Sequence, residues 1–150
     1  TRGERFGRRG PSRAGRESLA RFRLQIERAL LTGRLTDALT RCDEALSLPV
    51  RANRYAGDLW YLRGLTAYRI ARGGSGLLSS EAATYLRMAR VSMVQALETY
   101  RRPGARTRYD LRRSSRYPFE QTRTFEGDLG YVYRQATLSI ARIEELESKR

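Results

Sequence analysis

Apolar residues recur at three- and four-residue steps along most of this chain, which is the spacing of one face of an α-helix. The stretches form two pairs and one single helix, at residues 18–49, 55–102 and 124–148. Gly33 separates the first pair, and the Arg-Gly-Gly-Ser-Gly sequence of residues 72–76 separates the second. Pro49 and Pro103-Gly104 end the two pairs, as residues that cannot continue a helix. No alternating strand pattern competes, so the sequence predicts an all-α fold of two antiparallel hairpins and a C-terminal helix.

The chain has the length of one domain. Its 150 residues fit a single hydrophobic core of ordinary size. Residues 1–16 are rich in arginine and glycine and have almost nothing to bury, which predicts a flexible arm ahead of a helical domain at residues 17–150. Within that domain, residues 101–123 contain two prolines and eight arginines. This composition predicts a basic extended segment between the second hairpin and the last helix.

The distribution of positive charge indicates that the helical domain binds a partner. The net charge is +14, and residues 1–16 carry +5 of it while residues 101–123 carry +6. All basic residues except Lys149 are arginine, whose planar guanidinium binds carboxylates and phosphates bidentately. Concentrating charge outside the helices favours contact with an acidic protein surface or a subunit of a larger complex. The alternative, that the two segments only keep the chain in solution, stays open.

The same segments also fit RNA. Arginines that alternate with tyrosines can neutralise phosphates while bases stack on the rings. The candidate basic contacts are Arg5, Arg8, Arg9, Arg13, Arg16, Arg106, Arg108, Arg112, Arg113 and Arg116, and the candidate stacking residues are Tyr109 and Tyr117. An RNA- or ribosome-associated protein is therefore the second functional hypothesis.

Several classes of chemistry have no support in the sequence. There is no histidine, and the single cysteine, Cys42, falls on the apolar stripe of its helix, as a small core residue would. We therefore expect no catalytic residue, metal site, cofactor or small-molecule substrate. No apolar run is long enough to span a membrane, and the single cysteine cannot form an internal disulfide. These features predict a soluble, intracellular protein in a reducing or redox-indifferent environment. Because the sequence starts at Thr1 and not at methionine, import into an organelle with removal of a targeting peptide stays open.

The helical pairs resemble a known repeat family. In the first pair the pattern is carried by Phe22, Gly33, Ala38, Cys42, Ala45 and Pro49, and in the second by Trp60, Gly64, Ala82, Leu86 and Ala89. These small, large and turn positions resemble those of tetratricopeptide (TPR) repeats. The sequence departs from the pattern at Ile26 and Arg63. The resemblance implies a right-handed stack of about two TPR-like units closed by the C-terminal helix.

The resemblance also implies a groove. The first helix of each repeat lines a concave surface, which places Arg23, Glu27, Tyr61, Leu65, Tyr68 and Arg69 at the partner groove. Aromatic and arginine side chains suit an extended peptide or a partner helix. The alternative, that the same residues pack between helices, is favoured for Leu65. The first functional hypothesis is accordingly a non-catalytic scaffold or adaptor subunit that mediates protein–protein interaction.

Overall fold

A computed structural model describes residues 13–49, 53–73, 80–109 and 125–149. These residues form five helices: α1 (Arg13–Leu31), α2 (Leu35–Leu46), α3 (Ala56–Gly73), α4 (Ser80–Tyr100) and α5 (Phe125–Ser148). No strand occurs among the described residues, which confirms the predicted all-α fold class. None of these helices is both long and apolar enough to cross a membrane.

The first helix begins earlier than the apolar pattern indicates. It starts at Arg13, whereas the apolar stripe starts near residue 18, so residues 13–16 of the predicted arm are helical. Arginine and alanine are good helix formers, and they can extend a helix whose later turns are held by packing. Residues 1–12 lie outside the described part of the chain.

Gly33 ends α1 as predicted, through a Schellman-type turn. Its φ of 75° lies in the left-handed region that favours glycine. The N–H of Arg34 donates to the carbonyl of Ala29 at 2.8 Å, and the N–H of Gly33 donates to that of Leu30 at 3.3 Å. These bonds satisfy carbonyls that the end of a helix would leave unpaired. The chain then reverses directly into α2.

Helix α3 lies at the centre of the packing. It contacts α2 on one side and α4 on the other, and it also touches α1 and α5. Its buried residues therefore surround most of the helix instead of forming one stripe: Leu59, Tyr61, Leu62, Leu65, Ala67, Tyr68 and Ala71. The outer helices bury one face each, with Ile26 in α1, Leu86 in α4 and Val132 in α5 all fully enclosed.

Gly64 lets α3 and α4 approach closely. A Cβ atom at this position would lie 2.7 Å from Met93 Cε, 3.2 Å from Ser92 Cβ and 3.3 Å from the carbonyl oxygen of Ala89. All three atoms belong to α4, so the glycine is needed for the spacing of this helix pair.

Cys42 is a core residue, as the sequence indicates. Its side chain is buried with 0% exposure, and burial raises the pKa of the thiol to about 12. Because the thiolate is the reactive form, iodoacetamide should leave the folded protein unmodified at about pH 8 and label it fully in denaturant. Intact-mass spectrometry of both samples checks this expectation. Rapid labelling of the folded protein would contradict it.

Candidate partner interface

A buried carboxylate, Asp58, lies where the first turn of α3 meets the segment that follows α4. Asp58 is only 1% exposed. Its Oδ1 accepts hydrogen bonds from the hydroxyls of Tyr100 and Thr107, and its Oδ2 accepts one from the backbone N–H of Arg108 at 2.8 Å. We call these four residues the Asp58 cluster. It fixes residues 107–108 against the ends of two helices.

The environment of Asp58 indicates that the cluster has a structural role. Burial raises the pKa of the Asp58 carboxyl, and the hydrogen bonds from Thr107 and Tyr100 oppose that shift. Burial also raises the pKa of Tyr100, and the neighbouring Asp58 carboxylate adds to the effect because a phenolate would place two negative charges in contact. Tyr100 therefore stays protonated and donates. With its oxygens engaged and almost no exposed surface, Asp58 offers no access to a substrate.

Two glycines allow this geometry. Gly57 precedes Asp58, and a Cβ at that position would lie 2.6 Å from Cε1 of the Tyr100 ring. Gly104 has a φ of 79° and turns the chain after α4, where the N–H of Ala105 donates to the carbonyl of Arg102. The N–H of Arg106 then donates to the carbonyl of Arg54 at 2.8 Å. The backbone N–H groups of Arg106 and Arg108 thus tie this segment to the start of α3.

Tyr109 continues this segment across α1 and α3. Its hydroxyl donates to Glu27 Oε1 at 2.8 Å, and the same oxygen accepts a 2.6 Å bond from Arg23. The Tyr109 ring packs on that of Tyr61, with 5.6 Å between the ring centroids. Burial raises the pKa of the Tyr109 hydroxyl, as does its bond to Glu27. Tyr109, one of the two candidate stacking residues, therefore makes its contacts within the chain.

The predicted groove is closed at its apolar positions, which corrects the expectation that they face a partner. Tyr61, Leu65 and Tyr68 are at most 2% exposed. The physical reason is the central place of α3, which packs against several helices, together with Tyr109, which covers Tyr61. Arg69 is half-buried. The side chains of Arg23 and Glu27 are 19% and 30% exposed, but they form an ion pair with each other. Glu27 also accepts the hydrogen bond from Tyr109.

Four exposed arginines lie on the chain segments that meet at Asp58. Arg54 precedes α3, Arg102 follows α4, and Arg106 and Arg108 flank Thr107. We call them the arginine cluster, since backbone hydrogen bonds hold their chain segments together. None of the four guanidinium groups forms an ion pair with a carboxylate among the described residues, whereas described ion pairs engage Arg23, Arg34, Arg41, Arg63 and Arg87 elsewhere. The Arg108 guanidinium lies 4.3 Å from the centroid of the Tyr55 ring, a cation–π contact that orients it.

No protein-family model, curated protein or solved structure matches the chain. Among the described residues, no group of three or more cysteine, aspartate or glutamate side chains is placed to hold a metal ion. The arginine cluster is the feature on which the functional argument depends.

The structure brings together some predicted site residues and leaves others undescribed. Arg106 and Arg108 belong to the arginine cluster, and Arg13 and Arg16 lie in α1, where the description covers only their backbone. Arg5, Arg8, Arg9, Arg112, Arg113, Arg116 and Tyr117 lie outside the described residues. Sequence reasoning missed Arg54, Asp58 and Arg102. Asp58 is the one acid of α3 and lies in its first turn, a common place for an acid, so no sequence signal pointed to it.

Proposed function

We propose that this chain is a non-catalytic adaptor subunit that binds an acidic protein surface within a larger assembly, on a stack of TPR-like hairpins. The observation that carries the proposal is the arginine cluster. Guanidinium groups that form no ion pair with a described carboxylate repel one another, and an acidic surface supplies compensating charge with bidentate hydrogen bonds. The Asp58 cluster supports this reading because it fixes the backbone that carries Arg106 and Arg108 before a partner arrives. Preorganised contacts lose less conformational entropy on binding.

Several observations support an adaptor without a catalytic step. The sequence contains no histidine, which is the commonest general base. Cys42 is buried with a raised thiol pKa, and Asp58 is enclosed by its hydrogen-bond donors. The thiol of Cys42 and the carboxylate of Asp58 are therefore buried in contacts that stabilise the fold.

A protein partner is favoured over RNA by the position of Tyr109. Binding of single-stranded RNA by interleaved arginine and tyrosine needs ring faces that bases can reach. Tyr109 instead packs on Tyr61 and donates to Glu27, and the Tyr55 ring is covered by Arg108. The rings of Tyr109 and Tyr55 thus both make their contacts within the chain. The arginines remain, and they suit carboxylates.

Replacing Arg106 and Arg108 together with glutamine should weaken binding to an acidic peptide about tenfold, since each lost charge contact is worth about 0.7 kcal/mol. The probe is a dye-labelled glutamate-rich peptide, titrated by fluorescence anisotropy at low salt. Affinity should also fall as salt rises, because exposed charges are screened. A single-stranded RNA oligonucleotide is titrated in parallel.

The matched control replaces Arg134 and Arg142, two exposed arginines of α5, with glutamine and so removes the same charge elsewhere. Its peptide affinity should change by less than about threefold. Equal losses in both pairs would show a nonspecific charge effect and count against the arginine cluster. Tighter binding of RNA than of the peptide, with a steep salt dependence, would replace the adaptor function by the RNA-associated one.

A further inference from the structure

An apolar cleft opens beside the arginine cluster. The end of α2, the start of α3 and the end of α4 line it, through Leu46, Leu48, Pro49, Ala56, Trp60, Gln95, Thr99 and Arg102. Its volume is about 250 Å³. This is below the range of about 300 Å³ and above that is usual for drug-sized ligands and cofactors, and it suits one large apolar side chain. Arg102 belongs both to this cleft and to the arginine cluster.

One arginine holds the three helices that line the cleft. Arg63 Nε lies 2.8 Å from Asp43 Oδ1 of α2, and its Nη1 donates to Ser92 Oγ of α4 at 2.7 Å. Its guanidinium also lies 5.9 Å from the centroid of the Trp60 ring. The relative positions of α2, α3 and α4 are therefore fixed near the cleft, and the Trp60 wall is supported from within the protein.

We propose that this cleft binds a single large apolar side chain, such as leucine, of an acidic peptide segment whose carboxylates contact the arginine cluster. The inference rests on the proposed function and adds the chemistry of the partner's recognised segment. The lining and the adjoining charge together indicate the occupant, because five of the eight lining residues are apolar and Arg102 joins the cleft to the arginine cluster. An apolar anchor surrounded by acidic residues is complementary to both.

Trp60 provides a direct readout because it is the only tryptophan in the sequence. Two unlabelled glutamate-rich peptides are compared, identical except for a central leucine or alanine. The leucine peptide should bind about tenfold more tightly, the gain expected when a leucine side chain is buried. It should also shift Trp60 emission to shorter wavelength with the same saturation curve. The alanine peptide should bind without that shift.

A substitution in the cleft separates this proposal from the general effect of charge. Leu48 is 37% exposed, so Leu48→Ser should leave the fold and the alanine-peptide affinity intact while reducing the preference for leucine to about threefold. The control is Leu31→Ser. Leu31 is the last residue of α1, is 85% exposed and does not line the cleft, so this variant should keep the full preference for leucine. Equal affinities for the two peptides and unchanged Trp60 emission would overturn the cleft proposal alone. If neither peptide binds, the proposed acidic partner fails as well.

Discussion

Replacing Asp58 with alanine is expected to lower the free energy of unfolding by about 3 kcal/mol, because buried donors lose their acceptor. The side-chain hydroxyls of Tyr100 and Thr107 and the backbone N–H of Arg108 would each have to find a new partner or stay unpaired. Urea denaturation followed by far-UV circular dichroism measures the change.

The same substitution should release the segment after α4. Trypsin cleaves after arginine, so under native conditions cleavage at Arg106 and Arg108 should be faster in Asp58→Ala than in the unchanged protein. Asp37→Ala is the matched control: Asp37 also lies in the first turn of a helix, but 43% of its side chain is exposed and its partner Arg41 lies 3.7 Å away. Its expected cost is below about 1 kcal/mol. A similar loss of unfolding free energy in the two variants, or an unchanged rate of proteolysis, would refute the structural role of the Asp58 cluster.

Gly64→Val should cost about 3 kcal/mol of unfolding free energy and lower the melting temperature. A single Cβ would already lie 3.2 Å from Ser92 Cβ and 3.3 Å from the Ala89 carbonyl oxygen, and valine adds two methyl groups. The Met93 methyl can move aside, but the other two atoms are fixed by the backbone of α4. The two helices must separate, and the small gain in helix propensity cannot compensate.

Gly73→Val provides the control within the same helix. Gly73 is the last residue of α3, and nothing lies within 4 Å of a Cβ built there. Its expected effect is within about 0.5 kcal/mol. If both variants melt at the temperature of the unchanged protein, the spacing of α3 and α4 does not depend on Gly64. Differential scanning calorimetry of the three proteins decides between these outcomes.

The helices could be predicted from the sequence because their signals are local. A three- and four-residue apolar spacing marks each helix, and Gly33 and Gly104 mark the turns after α1 and α4, both with positive φ. The start of α1 was harder to predict, since residues 13–16 contain no large apolar side chain and carry no periodic signal. Propensity and packing downstream decide such a boundary.

The candidate interface was only partly predictable. Arg106 and Arg108 stand out by composition, but the contacts that position them join residues far apart in the chain. Thr107 reaches Asp58 across 49 residues, and Tyr109 reaches Glu27 across 82. No spacing rule links such positions. From sequence alone Asp58 reads as an ordinary first-turn acid that favours a helix N-terminus.

The groove shows how a repeat pattern can mislead about exposure. Tyr61 and Tyr68 occupy positions that face a partner in the resembling family, yet here they are buried. The other four helices all contact α3, and the segment ending at Tyr109 covers part of its remaining face. Exposure depends on how many elements pack on a helix, which the pattern within that helix does not encode.

Chain synthesis proceeds from the N-terminus, so Asp58 leaves the ribosome well before its donors. Tyr100 follows 42 residues later and Thr107 follows 49 residues later. Until both are available, the Asp58 carboxylate keeps its hydration, because burying it without donors is costly. The start of α3 therefore closes only after residues 105–109 have been made, and the arginines acquire their fixed spacing at the same moment. A partner that requires this spacing would not bind nascent chains in which residues 105–109 have yet to emerge from the ribosome.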